Sequence, residues 1–246
     1  MNHSSISFQV KALRLRVEVQ SLMLHCFKTS KSEEFDKCRR IDHDLNILIK
    51  SLKKFDFIAN LNEGSSLFIG EGNLSFTCEL AQRISNPECM TATTYEGVDS
   101  YDDFSIQNKQ KLQQMGVTVL DGIDGTKLHL NMLCHKFHLI VFQFPHTGKQ
   151  EYHDGQTPNF DLVRNFLISS KTQLHHKGVI AITYVNNSYY NGIFQFEKLR
   201  RELQFSAMEK YTFDPKDFPN YKHKMTNKDE SGIVDHDQFA TMVFSI

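Results

Sequence analysis

The chain has 246 residues, of which 40% are hydrophobic, and its formal net charge is −1 at neutral pH. This length and apolar content predict one α/β domain with an appendage, or two small domains, with a full core. The balanced charge excludes binding of nucleic acid through overall charge alone. No apolar run could span a bilayer, and Met1 to Val10 contains no apolar signal-peptide segment. We therefore expect a protein that is neither inserted in a membrane nor secreted.

The cysteines are scattered, odd in number and free of C-x-x-C spacing, at Cys26, Cys38, Cys78, Cys89 and Cys134. This pattern predicts reduced thiols in a cytoplasmic protein and no metal site.

Residues 1–62 predict a mainly helical N-terminal appendage. Between Phe8 and Phe27 the apolar residues fit a strand and a helix, and the residue preferences favour the helix. Apolar residues from Ile41 to Phe55 then recur every three or four positions, as in an amphipathic helix. The basic residues of the appendage either face a nucleic acid or form a solvated surface, and the pattern favours the solvated surface.

A turn that holds a nucleotide-like ligand is the central prediction, and it rests on Ser66 to Ala81, SLFIGEGNLSFTCELA. The apolar run Leu67–Ile69 predicts a strand, and the residues after Asn73 predict a helix. Gly70 and Gly72 allow a sharp turn and close approach of a ligand to the backbone. Such a turn holds a nucleotide-like molecule at the end of the first strand of a doubly wound sheet. A plain strand–helix turn is the alternative, because the third glycine of the dinucleotide motif is absent.

The next elements place acidic residues at two further strand ends. Met90 to Tyr95 predicts the second strand. Glu96 follows at the spacing at which such domains bind ribose hydroxyls, or is a surface acid at the strand end. Asp103 to Met115 predicts a helix, and Val117 to Leu120 predicts the third strand. Asp121 and Asp124 follow it, either near an adenine amine or as residues that stabilise their own turn.

Phe137 to Phe144 is the most hydrophobic run and predicts the central fourth strand. It ends in Gln143-Phe144-Pro145-His146, opposite the glycine turn. The Gln143 carboxamide can donate and accept hydrogen bonds, and Phe144 can stack on a base. His146 is either a turn residue or a general base.

The remaining third of the chain predicts two helices, three strands and two loops. Asn159–Leu174 and Phe194–Leu203 predict helices, and His175-His176-Lys177-Gly178 is interpreted as the end of the first helix. The predicted strands are Val179–Tyr184, Phe205–Tyr211 and Phe239–Phe244. Tyr189–Gly192 is predicted as a loop. A second loop, Phe213–Lys224, mixes aromatic and basic residues suited to base stacking and phosphate contact, or is a solvated loop.

These elements predict a Rossmann-like, mostly parallel seven-stranded sheet with helices on both faces and one antiparallel strand, the fold of class I methyltransferases. Five segments in this order resemble the ribosomal-RNA uridine-N3 methyltransferase-like family. They are GEGNLSF-x3-LA (Gly70–Ala81), TATTYE (Thr91–Glu96), GIDGTKL (Gly122–Leu128), F-x-LIVFQFPHTG (Phe137–Gly148) and FPNYKHKMT (Phe218–Thr226). The resemblance extends from about Ser66 to Ile246.

The resemblance implies an S-adenosylmethionine-dependent methyltransferase that acts on a base nitrogen of RNA, expected to be rRNA. The cofactor-binding residues would be Gly70, Glu71, Gly72, Asn73, Phe76, Glu96, Asp121, Asp124 and Gln143. The catalytic residues would be Gln143, Phe144, Pro145 and His146. The substrate-binding residues would be Phe144, His146, Tyr221, Lys222, His223 and Lys224.

The sequence departs from the family pattern at three positions. Asn73 and Gln143 stand where the family commonly has Asp and Asn, and Pro219-Asn220-Tyr221 replaces a common P-G-Y. Two alternatives therefore remain at this stage, a small-molecule methyl acceptor and a non-catalytic binding module of the same fold. The pattern leaves the oligomeric state open.

Overall fold

A computed structural model describes residues 3–130, 136–148, 157–224 and 231–246. Cys134, and Met225 and Thr226 at the end of the last family segment, lie outside these residues. The chain forms two compact units, Met1–Phe55 and Asp56–Ile246. None of the described helices is both long and apolar enough to cross a membrane.

The first unit is a helical hairpin of α1 (His3–Lys28) and α2 (Ser32–Ser51). The rings of Phe27 and Phe35 lie 6.1 Å apart near the turn. Farther from it, Arg16 Nε donates to Asp42 Oδ1 at 3.0 Å. These two contacts fix an antiparallel pairing. The helix that the sequence favoured over a strand between Phe8 and Phe27 is present.

The second unit contains one seven-stranded sheet in the order β3-β2-β1-β4-β5-β7-β6. All pairs are parallel except those of β7, which runs antiparallel to β5 and β6. The predicted fold class is therefore confirmed. The strands are β1 (Ser66–Ile69), β2 (Met90–Thr93), β3 (Thr118–Leu120), β4 (Phe137–Gln143), β5 (Leu174–Val185), β6 (Ala207–Phe213) and β7 (Phe239–Ser245).

Helices of this unit connect the strands, and several begin at side chains that cap free backbone amides. Asp102, Thr157 and Asn187 each accept a hydrogen bond from the amide three residues later. The helices are α3 (Phe57–Leu61), α4 (Ser75–Ala81), α5 (Asp103–Gln114), α6 (Pro158–Gln173), α7 (Ser188–Phe194) and α8 (Phe196–Glu202). The sequence analysis placed residues 1–62 in the appendage, whereas the structure groups α3 with the second unit.

Two local predictions were wrong. Tyr189–Gly192 belongs to α7 rather than a loop, because the Asn187 side chain caps a helix at the Tyr190 amide. His175–Gly178 belongs to the long strand β5, which begins at Leu174, and not to a helix end. Phe137 of β4 pairs with Leu174, so strand pairing prevails over the local helix-end pattern.

The strand order reverses between β1 and β4, which are neighbours although β2 and β3 lie between them in sequence. Ile69 pairs with Phe142, so Gly70 and Gln143 are the next residues at the carboxyl ends of adjacent strands. Ligands of open α/β sheets bind at such a reversal.

Candidate active site

A cavity of about 1200 Å³ lies at the carboxyl ends of β1, β2, β4 and β5. Nearly every residue that the sequence analysis assigned to a site contributes to its lining. These are Gly70, Glu71, Gly72, Asn73, Phe76, Glu96, Asp124, Gln143, Phe144, Pro145, His146, Tyr221, Lys222, His223 and Lys224. Asp121 is the exception. We name the side built on the ends of β1, β2 and β3 the β1–β3 wall, and the side built on β4, β5 and α7 the β4–β5 wall.

The glycine turn of the β1–β3 wall needs its glycines for steric reasons. Gly70 has a φ of +63°, and a Cβ atom there would lie 2.9 Å from the Phe142 ring. A Cβ atom at Gly72 would lie 3.2 Å from Cβ of Lys224. Side chains are therefore disfavoured at both positions, and the backbone stays bare toward the cavity.

Glu71, between these glycines, is a buried carboxyl group with an incomplete set of hydrogen bonds. Its Oε2 atom accepts from the Thr77 amide at 3.2 Å, at the start of α4. Its Oε1 atom is buried and has no hydrogen-bond partner among the described residues. Burial raises the pKa of Glu71 to about 7, since desolvation outweighs the bond from Thr77. A donor in the cavity could satisfy Oε1.

Asn73 connects the glycine turn to a distant part of the chain. Its Oδ1 atom accepts from the Ser75 amide at 3.1 Å, and its Nδ2 atom donates to the Lys222 carbonyl at 2.8 Å. Both ends of the carboxamide are thus already bonded within the protein. Its contribution to a ligand site is therefore indirect, through the position of the segment around Lys222.

Phe76 lies at the edge of the cavity but is only 1% exposed. Its ring packs edge-on against Phe57, Phe218 and Tyr221, with ring centres 5.1–5.3 Å apart. These contacts make Phe76 a core residue that supports the site from behind.

The acidic residues at the ends of β2 and β3 have different surroundings. Glu96 is exposed at the cavity edge. Asp124 accepts hydrogen bonds from the Thr126 amide at 2.9 Å and hydroxyl at 2.6 Å. Burial opposes ionisation of Asp124, but these bonds and nearby Lys127 leave its pKa below the usual value. Asp124 is thus an ionised acceptor at the cavity.

Asp121 corrects one prediction, because it lies behind the cavity lining instead of in it. Its carboxylate accepts from the Tyr101 hydroxyl and pairs with the Lys109 ammonium group. Tyr101 itself lines the cavity. Asp121 therefore orients Tyr101, a residue that sequence reasoning missed because it lies in a loop between unrelated motifs.

Gln143 is the most distinctive group of the β4–β5 wall. Both its Nε2 and Oε1 atoms are buried, and neither has a hydrogen-bond partner among the described residues. Such unpaired polar atoms cost free energy unless a ligand or solvent satisfies them. A carboxamide at the end of the central strand is thus available to a bound molecule.

Phe144, the next residue, makes the chain turn sharply at the strand end. Its φ of +50° lies in the left-handed region, and its amide donates to the Thr183 carbonyl at 2.8 Å. Its ring makes edge-to-face contacts with Phe213, His223 and Phe239 at 5.1–5.9 Å. Phe144 is consequently held by three rings of the protein.

His146 follows Pro145 on the same turn. Its Nδ1 atom accepts from the Gly148 amide at 2.8 Å, and burial lowers its pKa. The Nδ1 lone pair is therefore engaged by a backbone amide, so this nitrogen is poorly placed to take up a proton from a substrate. This geometry favours a hydrogen-bonding role over the general-base role that the sequence left open.

Tyr221–Lys224, here called the cover segment, packs onto the glycine turn. The Ser75 hydroxyl donates to the Lys222 carbonyl and accepts from its amide, at 3.1 and 3.0 Å. The Lys222 ammonium lies 4.6 Å from the centre of the Phe104 ring, and Lys224 Nζ lies 3.0 Å from Asp102. Burial lowers the pKa of His223 to about 4, so its imidazole is neutral.

Comparison with known proteins identifies the family of the chain. Residues 67–225, more than half of the chain, match the model of the BMT5-like family, described as rRNA (uridine-N3-)-methyltransferase BTM5-like. The chain belongs to this family. It is therefore an S-adenosylmethionine-dependent methyltransferase of a family described as acting on rRNA.

Individual proteins are similar to the chain at low sequence identity. An uncharacterized protein of Arabidopsis thaliana is 27% identical over 186 residues, which span 70% of this chain and 86% of that protein. The Mus musculus homologue of ferredoxin-fold anticodon-binding domain-containing protein 1 is 30% identical over 121 residues, 48% of this chain. That match spans only 19% of the mouse protein. A putative methyltransferase from Streptococcus mutans, solved in complex with SAH, aligns with a TM-score of 0.45 and 12% identity, over 74% of this chain and 89% of that structure.

Proposed function

We propose that this protein methylates a base nitrogen of RNA, of the uridine-N3 type, and that its partner is rRNA. Family membership supports RNA as the substrate. The observation that carries the choice of a base is the unpaired Gln143 carboxamide, which shares a cavity with the glycine turn.

S-adenosylmethionine supplies an electrophilic methyl group on a sulfonium when it is bound. The bare backbone at Gly70 and Gly72 leaves room for it, and Glu71 Oε1 lacks the donor that the ammonium group of its methionine moiety would provide. We assign Glu96 to the ribose hydroxyls and Asp124 to the adenine side. The donors and acceptors present therefore fit this cofactor.

A uracil base presents a carbonyl oxygen on each side of N3. Gln143 can donate from Nε2 to one of these oxygens. This bond strengthens as negative charge develops on the oxygen, so it favours loss of the N3 proton. Because Nδ1 of His146 is engaged by the Gly148 amide, we expect the N3 proton to leave to solvent. The nitrogen–carbon bond then forms as the carbon–sulfur bond breaks, with no change in oxidation state.

A methyl-transfer assay with radiolabelled S-adenosylmethionine and unmodified rRNA transcripts tests the proposal. We expect label in RNA, located at N3 of uridine by mass spectrometry of nucleosides. A protein that binds SAH tightly but labels no RNA would contradict the proposal. Label in a small-molecule acceptor under those conditions would establish that alternative.

A further inference from the structure

Three aromatic residues of the β4–β5 wall were not singled out by the sequence. Tyr184 is the second-last residue of β5, and Tyr190 and Phe194 lie one turn apart on α7; all three line the cavity. The Tyr190 and Phe194 rings are stacked, with centres 5.8 Å apart and planes at 28°. The Tyr184 ring meets Phe194 edge-on at 5.9 Å. We call these residues the aromatic group.

The aromatic group is held in place by hydrogen bonds on both sides. The Tyr184 hydroxyl donates to Asn191 Oδ1 at 3.0 Å, which ties α7 to β5. The Tyr190 amide donates to Asn187 Oδ1 at 2.9 Å, which fixes the first turn of α7. Tyr190 is therefore positioned by its backbone and by the ring beneath it before any substrate arrives.

Tyr190 differs from its neighbours in what remains available to a ligand. Tyr184 and Phe194 are each 1% exposed, whereas Tyr190 is half-buried and borders the cavity. No described residue forms a hydrogen bond with its hydroxyl group. Burial raises the pKa of Tyr190, as does neighbouring Tyr189, so the phenol is neutral. A neutral ring backed by a second ring is suited to stacking with a planar apolar face.

Phe144 is less suited to this task, although the sequence pointed to it. Its ring is already packed against Phe213, His223 and Phe239. By contrast, the Tyr190 ring has an edge contact with Tyr189 and a stacked contact with Phe194. The contacts therefore favour Tyr190 on α7 over Phe144 at the end of β4 as the ring that stacks on a base.

We infer that Tyr190 is the stacking platform for the unpaired acceptor base, in the cavity that the carboxamide of Gln143 also lines. This inference rests on the proposed RNA methylation and names a substrate-positioning residue for it. Enzymes that modify a base in nucleic acid must take it out of the helix, and an aromatic face compensates for the lost stacking. Stacking tolerates any base, whereas hydrogen bonds to the base edge select one.

The test compares Tyr190→Leu and Tyr190→Phe with the parent in the full chain. Rates of methyl transfer to an rRNA transcript give kcat and KM for RNA, and calorimetry gives the affinity for SAH. We expect Tyr190→Leu to lower kcat/KM for RNA by about ten- to hundredfold, as expected for loss of one base–aromatic stack. Tyr190→Phe should remain within about threefold of the parent, because it keeps the ring. Affinity for SAH should not change in either variant.

Tyr189→Leu is the matched control, because Tyr189 is adjacent, 46% exposed and outside the cavity lining. If Tyr190→Leu unfolds at a lower temperature than the parent, Tyr190→Met, which retains side-chain bulk without a ring, replaces it. Equal kcat/KM in an active parent and a folded ring-less variant overturns the inference alone. Equal losses in the Tyr189 and Tyr190 variants also overturn it. A parent that methylates no RNA overturns the proposed function, and the inference with it.

Discussion

The two walls of the cavity differ in how completely their polar groups are bonded within the protein. On the β1–β3 wall, Asn73 and Asp124 already have partners in the chain, and Glu71 has one free oxygen. On the β4–β5 wall, the Gln143 carboxamide has no partner among the described residues. The rings of the aromatic group line the same wall, where the β1–β3 wall has charged groups. The β1–β3 wall is thus a surface shaped by the backbone. The β4–β5 wall instead offers the Gln143 amide and the face of the Tyr190 ring to a ligand.

This difference predicts which kind of substitution each wall is sensitive to. A shaped surface is sensitive to added volume, while an unpaired polar group is sensitive to loss of its hydrogen bonds. If the β1–β3 wall binds the cofactor and the β4–β5 wall binds the acceptor, changes in the β1–β3 wall should affect cofactor affinity. Changes in the β4–β5 wall should affect methyl transfer to the acceptor.

The largest effect is expected from Gly72→Val. The new Cβ atom would lie 3.2 Å from Lys224 Cβ, and its methyl groups would add volume at the bare turn. We expect the affinity for SAH, measured by calorimetry, to fall by roughly ten- to hundredfold or more. Gly97→Val is the matched control, because a Cβ there has nothing within 4 Å. Unchanged affinity in a folded Gly72→Val protein would show that the glycine turn does not border the ligand.

A second prediction concerns the pH dependence of stability through Glu71. Its folded-state pKa, raised by burial to about 7, lies above the ordinary value of 4.5. The associated stability is therefore complete below about pH 4.5 and is lost as the pH rises through 7. Relative to Glu71→Gln, the parent should lose about 3 kcal/mol of unfolding free energy between pH 4.5 and 8, measured by urea titration.

Burial of His223 acts in the opposite direction, since its folded-state pKa is lowered to about 4. Its contribution is present above pH 6.5 and is lost as the pH falls toward 4. The residue is unchanged in Glu71→Gln, so the difference between the two proteins isolates Glu71. A pH-independent difference would mean that Glu71 ionises normally in the folded state.

Gln143→Leu should reduce methyl transfer without reducing the stability of the fold. Replacement of a buried, unpaired carboxamide by an apolar side chain should leave the free energy of unfolding unchanged or raise it by about 1 kcal/mol. Transfer to RNA should fall by about tenfold or more, because a hydrogen bond to the base is lost. Gln143→Asn keeps the amide and should recover part of the rate. Full activity of the leucine variant would remove Gln143 from the acceptor site.

The smallest effect is expected from Asn73→Asp, which restores the residue common in the family. The carboxylate would place an acceptor where Nδ2 now donates to the Lys222 carbonyl. We expect a loss of about 1–2 kcal/mol in thermal or urea unfolding, together with weaker attachment of the cover segment. Asn187→Asp is the control, because that side chain only accepts a bond, at a helix start where Asp serves equally well. No loss at Asn73 would indicate that the cover segment is held without this bond.

Sequence reasoning succeeded where the structure is local. The glycine turn and the polar end of β4 each lie in one contiguous stretch, and hydrophobic runs identify their strands. It missed the position of Asp121 outside the cavity lining and the helix that contains Tyr190, for a shared reason. The bond from Tyr101 to Asp121 and the helix that presents Tyr190 depend on side-chain partners that periodicity does not reveal. The long strand β5 likewise overrides the local signal at His175–Gly178 because its pairing partners lie elsewhere in the chain.

The attachment of the cover segment also bears on how the protein matures during synthesis. Asn73 and Lys222 bond across 149 positions, so the glycine turn leaves the ribosome long before the residues that pack on it. Until that late stretch emerges, the early βα unit has an open side, and a small molecule bound there would lack its full enclosure. We therefore expect nascent chains that end before Tyr221 to bind SAH weakly, and retention to increase only once the cover segment and β7, which pairs with β5 and β6, have both been synthesised.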